Sequence, residues 1–511
     1  MLSRKSILLT AQNVITGIIG YVGLLFILRY TGLQAYGILT FSLSFVGLFS
    51  FVLDFGFSTA NIKRISEGMD FDRAITVYFI IKLILAVIFV VLVLSSITFW
   101  EVFLHGGFRT IYEKYDFYIL IFYYFFQSFV VYYQSIFNAK TYAAVLSVPP
   151  FIEAVVRNGL LIISTIYFIK YFESPDQFSL LMAFIWSFSY AVYLLSFLPF
   201  ARGWRFKRPK AEDFKKYYTF AIPISVSIIM GSISSNISVI IIESFFGSYY
   251  VGAYGSILKI VSYVGVISSS LGSLILPTLS SLHSNNKIYE YKEKILQYEK
   301  YISLITLPLI IFMIIFSKQV LNLWTSLLIP FYFTLIILSI NIYINSINMP
   351  YSNHFNAIGN PKYIMYLGLL NTSTVVILDL LLIPRRISGF NLFGLDILGA
   401  AFASLISTII IFLIIRVKVG KTIKIFMDRS LPKQIFSSIL TGLIFFYINS
   451  LNIFPSRTWW SLIIWLILIY AFFSIFLIIT KTLKKDDMEL IKETINPIKM
   501  VSYIKEELTK K

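Results

Sequence analysis

Seven ionisable side chains stand inside long apolar runs of this 511-residue chain: Asp54, Lys82, Glu153, Arg157, Glu243, Lys259 and Asp379. A charge held at mid-bilayer depth costs at least about 2.5–3.5 kcal/mol, so such residues face a wet cavity or a partner. Glu153 and Arg157 lie one helical turn apart and can pair on one face. A guanidinium fork can grip two oxygens of an oxyanion at once, which makes Arg157 the expected principal ligand for an anion. Glu153 would hold it while no substrate is bound. Arg29, Lys82 and Lys259 would add positive potential, with Lys259 placed near the middle of a Ser-rich run. Asp54, Glu153 and Asp379 are the expected supporting or ion-coupling residues. Each has a plainer alternative: Glu153 and Arg157 neutralise each other, Lys82 reaches back to the headgroups, and Asp54 and Asp379 cap or pair.

Other chemistry is scarce. The chain has no cysteine, and its histidines, His105, His283 and His354, are far apart, so no metal site or other cofactor is expected. The string Val419-Gly420-Lys421-Thr422 lacks the earlier glycine of a phosphate loop, Ile415 standing in its place, and it follows an apolar run rather than a strand. The loops assigned outside carry few acids, which argues against a membrane glycosyltransferase with carboxylates and metal ligands there. That enzyme is one alternative function; a drug or small-cation antiporter is the other.

The elements that must position these residues follow from composition. Hydrophobic side chains make up 58% and charged ones 13%, where soluble domains average about a quarter charged. About twenty apolar residues cross a bilayer. Fourteen such helices are expected, at roughly 7–28, 36–60, 74–98, 117–138, 148–169, 178–199, 217–245, 250–281, 301–317, 328–350, 362–383, 395–416, 433–450 and 459–480. The first run is longer than a secretory signal core and no A-x-A site follows it, so it reads as a retained helix. The +18 net charge sits mostly in alternate short loops. With both termini in the cytoplasm, about four Lys or Arg fall inside for each one outside. This places the chain in the cell membrane and pairs its positive charge with membrane lipids rather than nucleic acid.

An internal repeat organises the spans. Phe137-Asn138-Ala139 recurs as Phe355-Asn356-Ala357, Ala183-Phe184 as Ala401-Phe402 at the same offset, and Gly32-x4-Gly37 as Gly247-x4-Gly252 at a similar one. Their common order predicts two six-helix bundles, 1–200 and 217–416, related by an axis along the membrane normal. A basic cytoplasmic linker at 201–216 joins them. Two further helices at 417–481 and a cytoplasmic tail at 482–511 complete an all-α polytopic membrane protein.

Several strings carry a resemblance. Leu28-Arg29-Tyr30-Thr31-Gly32, Tyr36-Gly37, Asp54-Phe55-Gly56 and Asn61-Ile62-Lys63-Arg64 resemble the opening of polysaccharide flippases. These are the Wzx-like members of the multidrug/oligosaccharidyl-lipid/polysaccharide exporter superfamily. Val251-Gly252-Ala253-Tyr254, Leu276-Pro277-Thr278, Gly359-Asn360-Pro361-Lys362 and Leu398-Gly399-Ala400-Ala401-Phe402 agree with its later segments. The resemblance implies export of a polyprenyl-phosphate- or diphosphate-linked oligosaccharide by alternating access, without an ATPase. Glycan-assembly proteins are implied as partners, and a proton or sodium ion stays open as a coupling partner. Many relatives carry an acid near position 238, where this chain has Ser238, and that departure speaks against acid-dependent coupling there.

Overall fold

Apolar runs surrounded by hydrocarbon can satisfy their backbone groups only by coiling on themselves, and this chain is helical almost throughout. The structure is a computed structural model that describes residues 2–103, 108, 110–140, 142–172, 174–451 and 458–482. The expected tail lies outside the described residues beyond Thr482.

Twelve helices among the described residues are long and apolar enough to cross a membrane, from Gln12–Tyr30 to Trp459–Ile479. Two more candidates differ in kind. The expected span at 36–60 is not one helix: α2 (Gly32–Leu48) and the stretch Ser50–Ser66 form a pair bent by 54°. The cause is local. Phe55 and Gly56 take positive φ values of 43° and 87°, which only glycine adopts without strain. The Asp54 carboxylate then caps α3 (Phe57–Ser66), accepting from the Gly56 and Ser58 N–H groups. The second is α9 (Ser248–Ser284), 37 residues long, over the segment expected at 250–281. The set is compatible with fourteen spans. The described strands are a two-residue antiparallel pair, Arg386–Ile387 with Phe390–Asn391.

The chain folds as two compact units. The N unit comprises 11–256 and 368–400; the C unit comprises 1–10, 257–367 and 401–511. Helix α9, α13 (Pro361–Leu382) and α14 (Asp396–Ile423) each begin in one and end in the other.

In the N unit, α3, α4 (Phe71–Phe103), α5 (Ile111–Ala139) and α8 (Ala211–Phe245) enclose a core of Phe57, Tyr78, Ile81, Tyr132 and Tyr217. The tyrosines stack, Tyr78 on Tyr132 at 5.3 Å, and place their hydroxyls on partners: Tyr132 donates to the Ile75 carbonyl and Tyr217 to Asn61. Aromatic bodies with satisfied hydroxyls suit a helical interior in membrane. Helices α2 and α9 touch backbone to backbone. A Cβ built on Gly37 would lie 1.7 Å from the Ser248 carbonyl oxygen, and one on Gly252 would lie 1.9 Å from that of Leu33. These are the repeated glycines of the sequence, and their role is close approach.

In the C unit, α10 (Ile288–Ile315), α12 (Tyr332–Ala357), the 401–423 part of α14 and α16 (Trp459–Ile479) surround Tyr291, Ile302, Tyr351, Phe355, Ile415 and Phe473. Helix α15 (Leu431–Ser450) starts from a Ser430–Pro432 turn with Pro at its second position.

Candidate functional site: a guarded arginine in the N unit

Arg157 lies in α6 (Ala143–Ile163), a helix that carries Pro149 and Pro150 near its start and runs into a π turn at Ser164–Phe168. Its Nε donates to Glu153 Oε1 at 2.5 Å, one turn earlier. The Ser189 hydroxyl of α7 (Pro175–Phe197) donates to the same oxygen at 3.4 Å. The guanidinium carbon lies 5.1 Å from the Trp186 ring centroid. Tyr123 of α5 and Tyr190 of α7 stand together, their rings 4.4 Å apart, and Gln127 interacts with Tyr190. The Arg157 side chain keeps 21% exposure against 9% for Glu153. One edge of the guanidinium therefore stays open while the other is fixed. The arrangement is a cation with an aromatic wall at its side and a carboxylate that neutralises it.

Lys82 and Asp54 also come together. Lys82 is 1% exposed and donates to the Leu53 carbonyl at 2.7 Å and to Asp54 Oδ1 at 3.0 Å. Its stem does not reach back to the headgroups; the break between α2 and α3 supplies its partners. Because Asp54 also accepts from the Ser58 hydroxyl at 2.7 Å, the pair ties the broken span to α4.

Asp379 is buried in α13 and accepts from the Ser238 hydroxyl of α8 at 2.5 Å. Its Oδ1 has no hydrogen-bond partner among the described residues. Asp379 thus brings a carboxylate to Ser238 from another helix. Arg29 is exposed at the end of α1 (Leu2–Tyr30). Lys259 is exposed on the part of α9 in the C unit, with Nζ 6.0 Å from the Tyr263 ring.

Two features escaped sequence reasoning. Glu299 of α10 and Arg416 of α14 form a fully buried ion pair at 2.7 Å. Glu299 Oε2 also accepts from the Tyr351 hydroxyl at 2.6 Å and the Asp428 N–H at 2.8 Å, while Arg416 donates to the Ile347 and Phe426 carbonyls and lies 3.4 Å over the Tyr351 ring. Glu299 falls in a stretch that composition assigns to a loop and Arg416 is the last residue of the span expected at 395–416, because both helices extend past the apolar runs. The other is a cavity of about 180 Å³ in the N unit whose wall includes Gln34, Thr110, Glu113 and Asp176. Two carboxylates in that wall make it a poor place for phosphate. No group of acids and histidines able to hold a metal ion occurs among the described residues.

Comparison with known proteins places these sites in a fold. The chain superposes on a lipid II flippase, MurJ, in an inward closed conformation, with a TM-score of 0.71 and 17% identity over 92% of this chain and 99% of that one. It also superposes on an inward-facing multidrug resistance MATE family transporter at a TM-score of 0.62 and 17% identity, covering 80% of this chain and 95% of that one. A capsular polysaccharide biosynthesis protein, CapF, of Staphylococcus aureus is 29% identical over 80 residues, which is 16% of this chain and a fifth of that protein. The MatE family model matches residues 223–381. The polysaccharide biosynthesis protein model matches residues 2–283, more than half the chain, so the chain belongs to that family within the multidrug/oligosaccharidyl-lipid/polysaccharide exporter superfamily.

Proposed function

We propose that this membrane protein flips a polyprenyl-phosphate- or diphosphate-linked oligosaccharide from the inner to the outer leaflet of the cell membrane by alternating access. Arg157 carries the reading. It is a cation inside a membrane span, neutralised by one carboxylate, open on one edge and flanked by Trp186, Tyr123 and Tyr190. A substrate phosphate competes with Glu153 for the guanidinium, and aromatic faces suit the apolar faces of sugars. Lys259 and Arg29 add positive potential, whereas the charge of Lys82 is balanced by Asp54. Both termini are taken as cytoplasmic, with six-helix halves at 1–200 and 217–416. An anionic headgroup leaving an inside-negative cell gains roughly 2.3 kcal/mol per charge per 100 mV, provided the charge itself crosses the field. Glycan-assembly proteins would supply and consume the substrate.

The test uses proteoliposomes loaded with a polyprenyl diphosphate disaccharide. Arg157→Lys is expected to keep partial flipping, Arg157→Gln to abolish it and Lys259→Gln to weaken it, all at normal protein levels. Full flipping by the Glu153→Gln, Arg157→Gln double variant would remove Arg157 from the mechanism.

A second reading, a proton- or sodium-coupled small-cation antiporter, is favoured by Asp379, a buried carboxylate with one oxygen on Ser238. Robust gradient-driven efflux of organic cations, lost in Asp379→Asn, together with no flipping of any lipid-linked glycan, would select it.

A further inference from the structure

Helix α12 carries Asn341, Asn345, Asn348 and Ser352 at spacings of four, three and four, which places them on one face. Asn345 stands roughly 18–20 Å from either end of α12 at 1.5 Å per residue, the middle of the span. It is exposed. Its Nδ2 donates to Asn341 Oδ1 and to Thr408 Oγ1 of α14, each at 3.4 Å, and Asn341 Nδ2 donates to Ser404 Oγ at 3.5 Å. These lengths sit at the weak end of hydrogen bonding. Asn348 is 6% exposed, and its Oδ1 has no hydrogen-bond partner among the described residues. All of these residues belong to the C unit.

An exposed amide at this depth would lose its water bonds without replacement if it faced hydrocarbon. The face therefore looks onto water or onto a polar substrate. Bonds whose only task is to hold helices together want a closed seam and short contacts, and this ladder has neither.

The repeat sharpens the point. Asn138 and Asn356, at the ends of α5 and α12, are 218 positions apart. The same offset carries Tyr123 to Asn341, Gln127 to Asn345, Trp186 to Ser404 and Tyr190 to Thr408. Three of these positions carry rings in the unit of Arg157 and an amide or hydroxyl in the other, and the fourth carries an amide in both.

We infer that Asn341, Asn345, Ser404 and Thr408 form a binding subsite for the sugars of the substrate headgroup. Each amide offers a donor and an acceptor, and each hydroxyl offers both, which is what adjacent sugar hydroxyls and N-acetyl groups require. The ladder is uncharged, so it reads glycan, not phosphate. The inference rests on the lipid-linked glycan reading above.

Native mass spectrometry of the purified full-length protein provides the test, with two probes: a polyprenyl diphosphate disaccharide and the same polyprenyl diphosphate without sugar. Asn345→Ala and Thr408→Val are expected to weaken binding of the glycosylated lipid about tenfold, the effect of one or two lost hydrogen bonds. Binding of the bare lipid should stay within twofold. Should Asn345→Ala fail to fold, Thr408→Val alone decides. Equal weakening of both lipids, or no change in either, overturns the subsite. Wild-type protein that binds neither lipid overturns the flippase reading and this one with it; wild type that binds both equally overturns the subsite alone.

Discussion

Glu153–Arg157 and Glu299–Arg416 are the same chemical pair in two settings. The second is closed on all sides, with side-chain exposures of 0% and 1%, a tyrosine hydroxyl, a backbone N–H and two carbonyls sharing its charges. The first has a single carboxylate, a serine hydroxyl and an arginine left 21% exposed. A buried pair that loses one member strands a charge, whereas an open pair can trade its partner for an incoming anion. Chemistry alone does not separate a fastener from a ligand; the number of competing partners does.

The largest effect should come from breaking the closed pair. Arg416→Gln or Glu299→Gln is expected to destabilise the protein by about 3–5 kcal/mol, the usual cost of an uncompensated buried charge. Thermal melting of the solubilised protein would read this as loss of folded material, and the joint replacement Glu299→Leu, Arg416→Met should recover much of it. Survival of either single variant at wild-type stability would erase the contrast between the pairs.

Opening the clamp on the broken span comes next. Lys82→Met leaves Asp54 without its cation but still bonded to Ser58 and Gly56, so a loss of about 1–3 kcal/mol is expected in the same assay. The more open pair should respond in activity and hardly in stability: Arg157→Gln is expected to melt within a few degrees of wild type while flipping falls at least about tenfold, one charge-assisted contact's worth. Equal losses of folding and transport would make Glu153–Arg157 a second fastener.

The smallest effect belongs to the loop pair of Asp70 and Lys207, joined at 2.7 Å. The hydrogen bond from Lys207 holds the exposed Asp70 carboxyl below its ordinary range. A lowered folded-state value means that any stabilisation is present above the unfolded carboxylate range and fades as pH falls through the lowered value. This pair should therefore add no pH dependence to melting between pH 5 and 8, and Lys207→Ala should leave the wild-type profile in that window unchanged.

Much of this was legible in the residues. Hydrophobic runs marked the spans, since a bilayer demands about twenty apolar residues whatever the fold. The four-residue spacing of Glu153 and Arg157 predicted their contact, because i and i+4 meet on any helix. Lys82 with Asp54 and Ser238 with Asp379 were not legible as pairs. Their contacts join different helices, 28 and 141 positions apart, and no local periodicity encodes that. Glu299 was hidden for a different reason: the charged first half of α10 looks like a loop when only hydropathy is read, which left Arg416, at the end of an expected span, with no visible partner. The bend after Leu48 could have been suspected from Asp54-Phe55-Gly56, a capping acid followed by a glycine suited to positive φ.

The crossing of α2 and α9 bears on how such a sequence can change over generations. At Gly37 and Gly252 the gap to a backbone carbonyl is already smaller than any side chain. Backbone cannot be trimmed by a second substitution, and glycine has nothing smaller to become. A methyl group gained at either position has no remedy at the other, so the two sites cannot drift as a compensating pair. Each is a point from which no single step leads onward, and a lineage could leave it only by moving the helices themselves apart.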